Sequence, residues 1–238
     1  MTTKLLQIPS RPDFVEEVYK VLSDAICDGT LRPGTRLTQE EIAEQLSVSR
    51  SPVLQALRLL KKDGLVQDAP GRGVLVAPLD VQWLGDLYEI RGTLDSLAAK
   101  LAAVRRSELD PMLISKGREI SLVGNVRSMI DVDMEFHFAI YAASGNPLIA
   151  DTARVHWVHL RRVMGAMLQV SGQRASIWDE HAAIAGAIEQ GDVESAMSLS
   201  ELHTHRAHQH LADEIGKMLE NVRIAPLKPT SLTDEVSA

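Results

Sequence analysis

The chain has 238 residues, 45% of them apolar and 24% charged, with a formal net charge of −7. Length and apolar content argue for two well-packed domains, and the one cysteine, Cys27, excludes an internal disulfide framework and fits a cytoplasmic protein. No run approaches the roughly eighteen apolar residues that span a bilayer, and no secretory apolar core opens the chain, so no membrane partner is expected. The negative charge does not exclude a nucleic-acid binder, because residues 1–79 hold ten basic and ten acidic side chains while the remainder holds fifteen against twenty-two.

In chain order, residues 1–12 read as a polar arm. A helix is predicted from about Asp13 to Asp28, with Val15, Val18, Leu22 and Ile26 on one stripe and Gly29 as its stop. Leu31 to Leu37 has turn chemistry. Thr38 then reads as an N-cap, with Glu41 as its capping-box partner. The stretch Thr38 to Leu57 has the form of two short helices joined by a tight turn. Ile42, Ala43, Leu46 and Val48 supply one apolar contact set; Val53, Ala56, Leu57 and Leu60 supply the other. Ser49 reads as an N-cap and Pro52 suits the first turn, so Arg50 and Ser51 emerge at the end of the second helix that enters a major groove. Residues 49–73 carry five basic side chains (Arg50, Arg58, Lys61, Lys62, Arg72) against two acidic ones, a local positive face suited to phosphate contact. Leu65–Asp68 and Val74–Ala77 read as strands of a hairpin whose tip carries Arg72, completing a winged helix-turn-helix.

Pro78 and Asp80 mark a boundary, after which helices are predicted at about 81–104, 107–122, 125–143, 146–170, 174–190 and 192–220. The fold class is therefore mainly α: residues 1–79 a winged helix-turn-helix, residues 80–222 an all-helical bundle, residues 223–238 a loose tail rich in Pro, Thr and Ser. Asp133 and His137, four apart, share a helix face, and His181 and His203 lie on the two following helices. Converged, they would offer one oxygen and three nitrogens to a borderline divalent ion such as zinc, nickel, cobalt or manganese. The histidines at 203, 205, 208 and 210 equally suit a solvated helix face. Arg91 suits an anchor for an anionic ligand as well as it suits a surface charge. Arg154, Arg161 and Arg162 read as solvated or paired, and the Trp157 to Met167 run as core or interface.

Thr38 to Val66, Gly71-Arg72-Gly73-Val74 and the set Asp133, His137, His181 and His203 together resemble the GntR superfamily of bacterial transcription regulators, in its FadR-like group with an FCD-type effector domain, over about residues 12–220. The resemblance implies a homodimer that binds a palindromic operator in double-stranded DNA. It also implies a helical domain that binds a small organic acid or related metabolite and commonly a divalent metal, zinc or nickel here, with repression relieved by the effector. Arg50 and Ser51 match positions that contact DNA, Arg36 matches one that meets its backbone, Gly73 matches a wing position near the minor groove, and Arg91 matches an arginine that approaches the effector. Leu54-Gln55 departs from the usual Arg-Glu: leucine lacks the bidentate guanine contact and can only pack on a thymine methyl. Asp95 replaces the common glutamate, and Asn146 reads as the cap of the helix after it.

Two other classes use the same residues. A metal hydrolase would activate water at Asp133 and the histidines, yet the chain lacks a distinct general-base motif and carries a DNA module. An architectural DNA-binding protein would have a solidly packed bundle, and a polar cavity containing the four ligands would argue against it.

Overall fold

A computed structural model describes residues 14–123, 125–168 and 176–224. The expected N-terminal arm and nearly all of the expected tail lie outside the described residues. The elements are α1 (Phe14–Cys27), β1 (Arg36–Leu37), α2 (Gln39–Gln45), α3 (Arg50–Lys62), β2 (Val66–Asp68), β3 (Val74–Val76), α4 (Val81–Val104), α5 (Pro111–Val123), α6 (Val126–Ala143), α7 (Pro147–Leu168), α8 (Ser176–Gln190) and α9 (Val193–Ile224).

The apolar stripe of α1 closes on α2, α3 and the sheet around Val18, Leu22, Ile26, Ile42, Val53, Leu57, Leu60 and Val76, all buried. Thr38 caps α2 by accepting from the Glu41 amide at 3.3 Å, while its hydroxyl donates to the Glu41 carboxylate at 2.7 Å. Ser49 holds the cap position of α3 in extended backbone but makes no side-chain cap bond. The turn between α2 and α3 passes through the left-handed region at Ser47, φ +53°.

Where turn chemistry was expected, Arg36–Leu37 forms an edge strand. The sheet is antiparallel in the order β1-β3-β2, with Leu37 opposite Val74 and Val66 opposite Val76. Two residues are too few to show a period of two, so this strand exists through its partner: Val76 N donates to Thr35 O and Gly34 N to Val76 O, each at 2.9 Å. The helix expected from 107 begins instead at Pro111. Arg106 turns left-handed (φ +50°) after α4, and Asp110 accepts from the Met112 amide at 2.9 Å, setting Pro111 in the first turn.

A second core joins α4 to α9 around Leu84, Tyr88, Ala99, Phe136, Tyr141, Trp157, Leu160, Trp178 and Ile188. Asn146 accepts from the Leu148 amide at 3.2 Å at the start of α7. The two cores meet where α1 crosses α7. Asp24, 4% exposed, accepts from Arg161 at 2.8 Å and from Arg127. Cys27 Sγ donates to Val158 O at 3.5 Å, and Val158 itself packs on the first core. Gly165 faces the carbonyl of Cys27 so closely that any side chain would collide with it. Arg162 donates to Ala77 O just beyond β3.

Candidate functional site

The second helix of the helix-turn-helix presents Arg50, Ser51 and Arg58 to solvent, with Leu54 half-buried among them. Arg50 reaches back to Glu40 on α2 at 3.0 Å, a well-solvated pair that a phosphate can displace at small cost. Arg36, exposed beside α2, donates from its guanidinium to the carbonyls of Arg72 (2.6 Å) and Pro70 (2.9 Å) and clamps the hairpin tip. That leaves Arg72 exposed at the tip. Gly73 has a steric reason to be glycine, since it adopts φ +86° and a Cβ there would strike the carbonyl oxygen of Leu37. Lys61 is paired with Asp68 across the wing at 2.7 Å.

Inside the bundle, α6, α8 and α9 bring Asp133, His137, His181 and His203 together. The ligand atoms of the three histidines all lie within 4.8 Å of one another. His181 Nε2 is 3.4 Å from His203 Nε2, Asp133 Oδ1 is 3.6 Å from His181 Nε2, and Asp133 Oδ2 is 3.8 Å from His137 Nε2. All four are buried. Burial pushes the pKa of His137 and His181 well below the ordinary imidazole value, with nearby positive groups, Arg91 among them, adding to it. Both rings are therefore neutral and each keeps a ring-nitrogen lone pair, which on His137 Nε2 accepts from the Arg91 guanidinium. Burial raises Asp133, against which Arg91 and then His203 pull it down. Neutral imidazoles and a desolvated carboxylate aimed at one point form a donor set that fits a divalent ion.

Several partners were not legible as such in the sequence. Glu180 on α8 lies 2.8 Å from His203 Nδ1 and accepts from Arg206 at 2.7 Å, which orients the His203 ring with Nε2 toward His181. Phe136 stacks on His181 at 4.2 Å. Asp95 accepts from Tyr141 and Arg91, the latter at 3.2 Å, and lies 3.6 Å from His137 Nδ1. A carboxylate beside the following histidine, and an arginine one turn after His203, were the only sequence signals for Glu180.

Arg91 is buried in this network. Its Nη2 lies 2.9 Å from His137 Nε2, and its guanidinium stands 5.2 Å from the Trp157 ring centroid. Asp133, His137, His181 and His203 are all closely surrounded, each no more than 7% exposed. A groove of about 500 Å³ between α4 and α9 borders the network through Tyr88 and Thr204, and Thr204 donates to Asp95 at 3.4 Å.

Comparison with known proteins matches residues 14–76 to the model of bacterial regulatory proteins, gntR family, and residues 86–206 to the FCD domain. An uncharacterised HTH-type transcriptional regulator of Streptomyces ambofaciens is 29% identical over 192 residues, 79% of this chain and 80% of that protein. Among solved structures, E. coli McbR/YncC superposes with a TM-score of 0.72 at 22% identity, covering 85% of this chain and 98% of the other. A transcriptional regulator GntR from Rhodococcus sp. RHA1 gives 0.70 at 25% identity, covering 84% and 97%. The relatives are regulators rather than enzymes, and the helix-turn-helix, wing and helical bundle follow one another here as they do in these matches. The chain belongs to the GntR family of transcriptional regulators, with an FCD domain behind its DNA-binding helices.

Proposed function

We propose that this regulator is a metabolite-responsive repressor that works in the cytoplasm as a homodimer on a palindromic operator. Arg50, Ser51, Leu54 and Arg58 meet the major groove, and Arg72, held out by Arg36 and Gly73, meets the backbone beside it. Asp133, His137, His181 and His203 hold a divalent ion, zinc or nickel, and a small organic acid binds beside it at Arg91. The observation that carries this reading is a buried arginine whose guanidinium lies 2.9 Å from a nitrogen of the converged donor set. A divalent ion there supplies positive charge that adds to that of Arg91 in attracting a carboxylate.

Arg91 is the group that must turn, because its Nη2 shares the His137 lone pair. Trp157 lies over both Arg91 and His137, and the next residue, Val158, packs on the core of the helix-turn-helix. A shift of α7 therefore moves the DNA-binding helices and the spacing of two recognition helices in a dimer.

The test is native mass spectrometry with metal analysis before and after chelation, followed by titration of carboxylic acids into an operator complex selected from random DNA. One ion per chain, lost from the His181→Ala variant, with DNA released by an acid from wild type and not from Arg91→Ala, supports the reading. A metal-free chain indifferent to added divalent ions overturns it. The close packing of the ligands favours one further reading, a purely structural ion: chelation then destabilises the bundle while no acid changes DNA affinity.

A further inference from the structure

We infer that the pocket between the end of α3 and α7 binds a small phosphate monoester, at a site that shares no residue with the converged donors or Arg91. It encloses about 360 Å³ where Lys62 of the DNA-binding domain, Leu79 between the domains, and Trp83, His159 and Arg162 of the bundle meet. Arg162 is 5% exposed and, among the described residues, has no carboxylate partner; its guanidinium donates to the carbonyl of Ala77. Comparable arginines are paired, Arg91 with Asp95 at 3.2 Å and Arg161 with Asp24 at 2.8 Å. Burial lowers the pKa of Arg162, and only the Cys27 thiol acts against it. A guanidinium stays protonated even in the interior, so a buried one without a counter-ion is costly until an anion reaches it.

The remaining wall says which anion fits. Lys62 is exposed at the end of α3 and, among the described residues, forms no ion pair. The two carboxylates of the rim are engaged elsewhere: Asp63 accepts from the Tyr19 hydroxyl at 2.6 Å, and Asp80 caps α4 by accepting from the Trp83 amide at 3.1 Å. Burial holds His159 below the ordinary imidazole pKa, so its ring adds no charge; it hydrogen-bonds the Asp63 backbone. A planar guanidinium fork and a flexible ammonium, neither with a counter-ion, suit a dianion with several oxygens. A phosphate monoester carries about −1.5 to −2 charges near neutral pH. The volume lies in the range of small-molecule pockets, and Leu79, Trp83 and Leu84 on its wall face the organic half of the ester. Trp83 stands edge-on to His159 with ring centroids 4.4 Å apart, which fixes the indole as part of that wall. A phosphate held by Lys62 and Arg162 ties the end of α3 to α7, and so sets how the helix-turn-helix is carried on the bundle.

The test titrates inorganic phosphate, then glycerol 3-phosphate, into the full-length protein at constant ionic strength, read by tryptophan fluorescence and thermal unfolding. Trp83 is 40% exposed whereas Trp157 and Trp178 are buried, so the fluorescence change belongs to the pocket and is lost in W83F. Both anions raise the Tm of wild type with saturation, and chloride does not. K62E, at an exposed position, weakens them about tenfold. R162M abolishes the response while circular dichroism shows it folded; should it fail to fold, K62E decides alone. His181→Ala keeps the response. A wild type indifferent to both anions overturns the inference, as does inorganic phosphate that binds while the ester is excluded. A response kept in K62E and R162M but lost in His181→Ala places the anion at the converged donors, overturning this inference and leaving the proposed function standing. No response to either anion, with K62E flattening the salt dependence of binding to a random duplex, makes Lys62 a DNA backbone contact and overturns it too.

Discussion

Asp24→Asn tests whether the two cores are coupled as described. The carboxylate is almost fully buried and accepts from Arg161, whose side chain is 18% exposed, and from Arg127, whose side chain is 51% exposed. Asparagine keeps the shape and one acceptor but leaves both guanidiniums without their charge partner. Breaking a buried pair costs about 3–5 kcal/mol and an exposed one about 0–1 kcal/mol. Because Arg161 keeps a second partner in Asp131 at 3.5 Å, a loss of about 2–3 kcal/mol is expected for the two pairs together. With an unfolding entropy of about 2.1 cal/mol/K per residue, that lowers Tm by about 4–6 °C. Urea unfolding of wild type, Asp24→Asn, Arg161→Ala and the double variant should give a coupling energy of about 1.5 kcal/mol or more. The same variant should retain operator binding but respond less to ligand. A stability loss below about 0.5 kcal/mol, or single-variant effects that simply add, would refute the junction as a coupling element.

Three further outcomes are expected. Glu180→Gln should lower metal affinity by about 10–100-fold while leaving the four ligands in place, measured by competition with a chromogenic chelator; unchanged affinity would remove Glu180 from the site. Gly73→Ala should cost about 2 kcal/mol or more, because left-handed backbone and the Leu37 carbonyl both oppose it, whereas Gly71→Ala, with open space around its Cβ, should cost only about 1 kcal/mol of backbone penalty; equal losses in thermal unfolding would contradict the wing packing. Cys27, whose thiol pKa burial raises to about 11, should resist thiol reagents at neutral pH until the chain unfolds, and labelling of native protein as fast as of free cysteine would refute its placement.

The helices were legible because each carries its own period. The stripe of α1 and the alternation of Val53, Ala56, Leu57 and Leu60 in α3 need no partner to be read, and the capping pair Thr38 and Glu41 is local. The candidate donor set was legible in one helical interval, Asp133 to His137, and in His181 and His203 on the two following helices, which the family resemblance then joined. β1 was not, since two residues acquire strand geometry only from β3. Glu180, Tyr141 and Thr204 acquire their roles by meeting residues of other helices, and nothing at their own positions announces it. Arg36 shows the same dependence on a partner: its hydrogen bonds to the wing carbonyls of Pro70 and Arg72 arise only once the hairpin has folded beside it.

Where α7 passes α1, the contact is peptide against peptide, because Gly165 presents no side chain to the carbonyl of Cys27. A junction of that kind has a gauge fixed by covalent geometry rather than by which rotamers happen to fill it. Side chains in the bundle can drift, and the cluster around His137 can be repacked, without changing the height at which the helix-turn-helix is carried; one methyl group at Gly165 acts as a shim and changes that height directly.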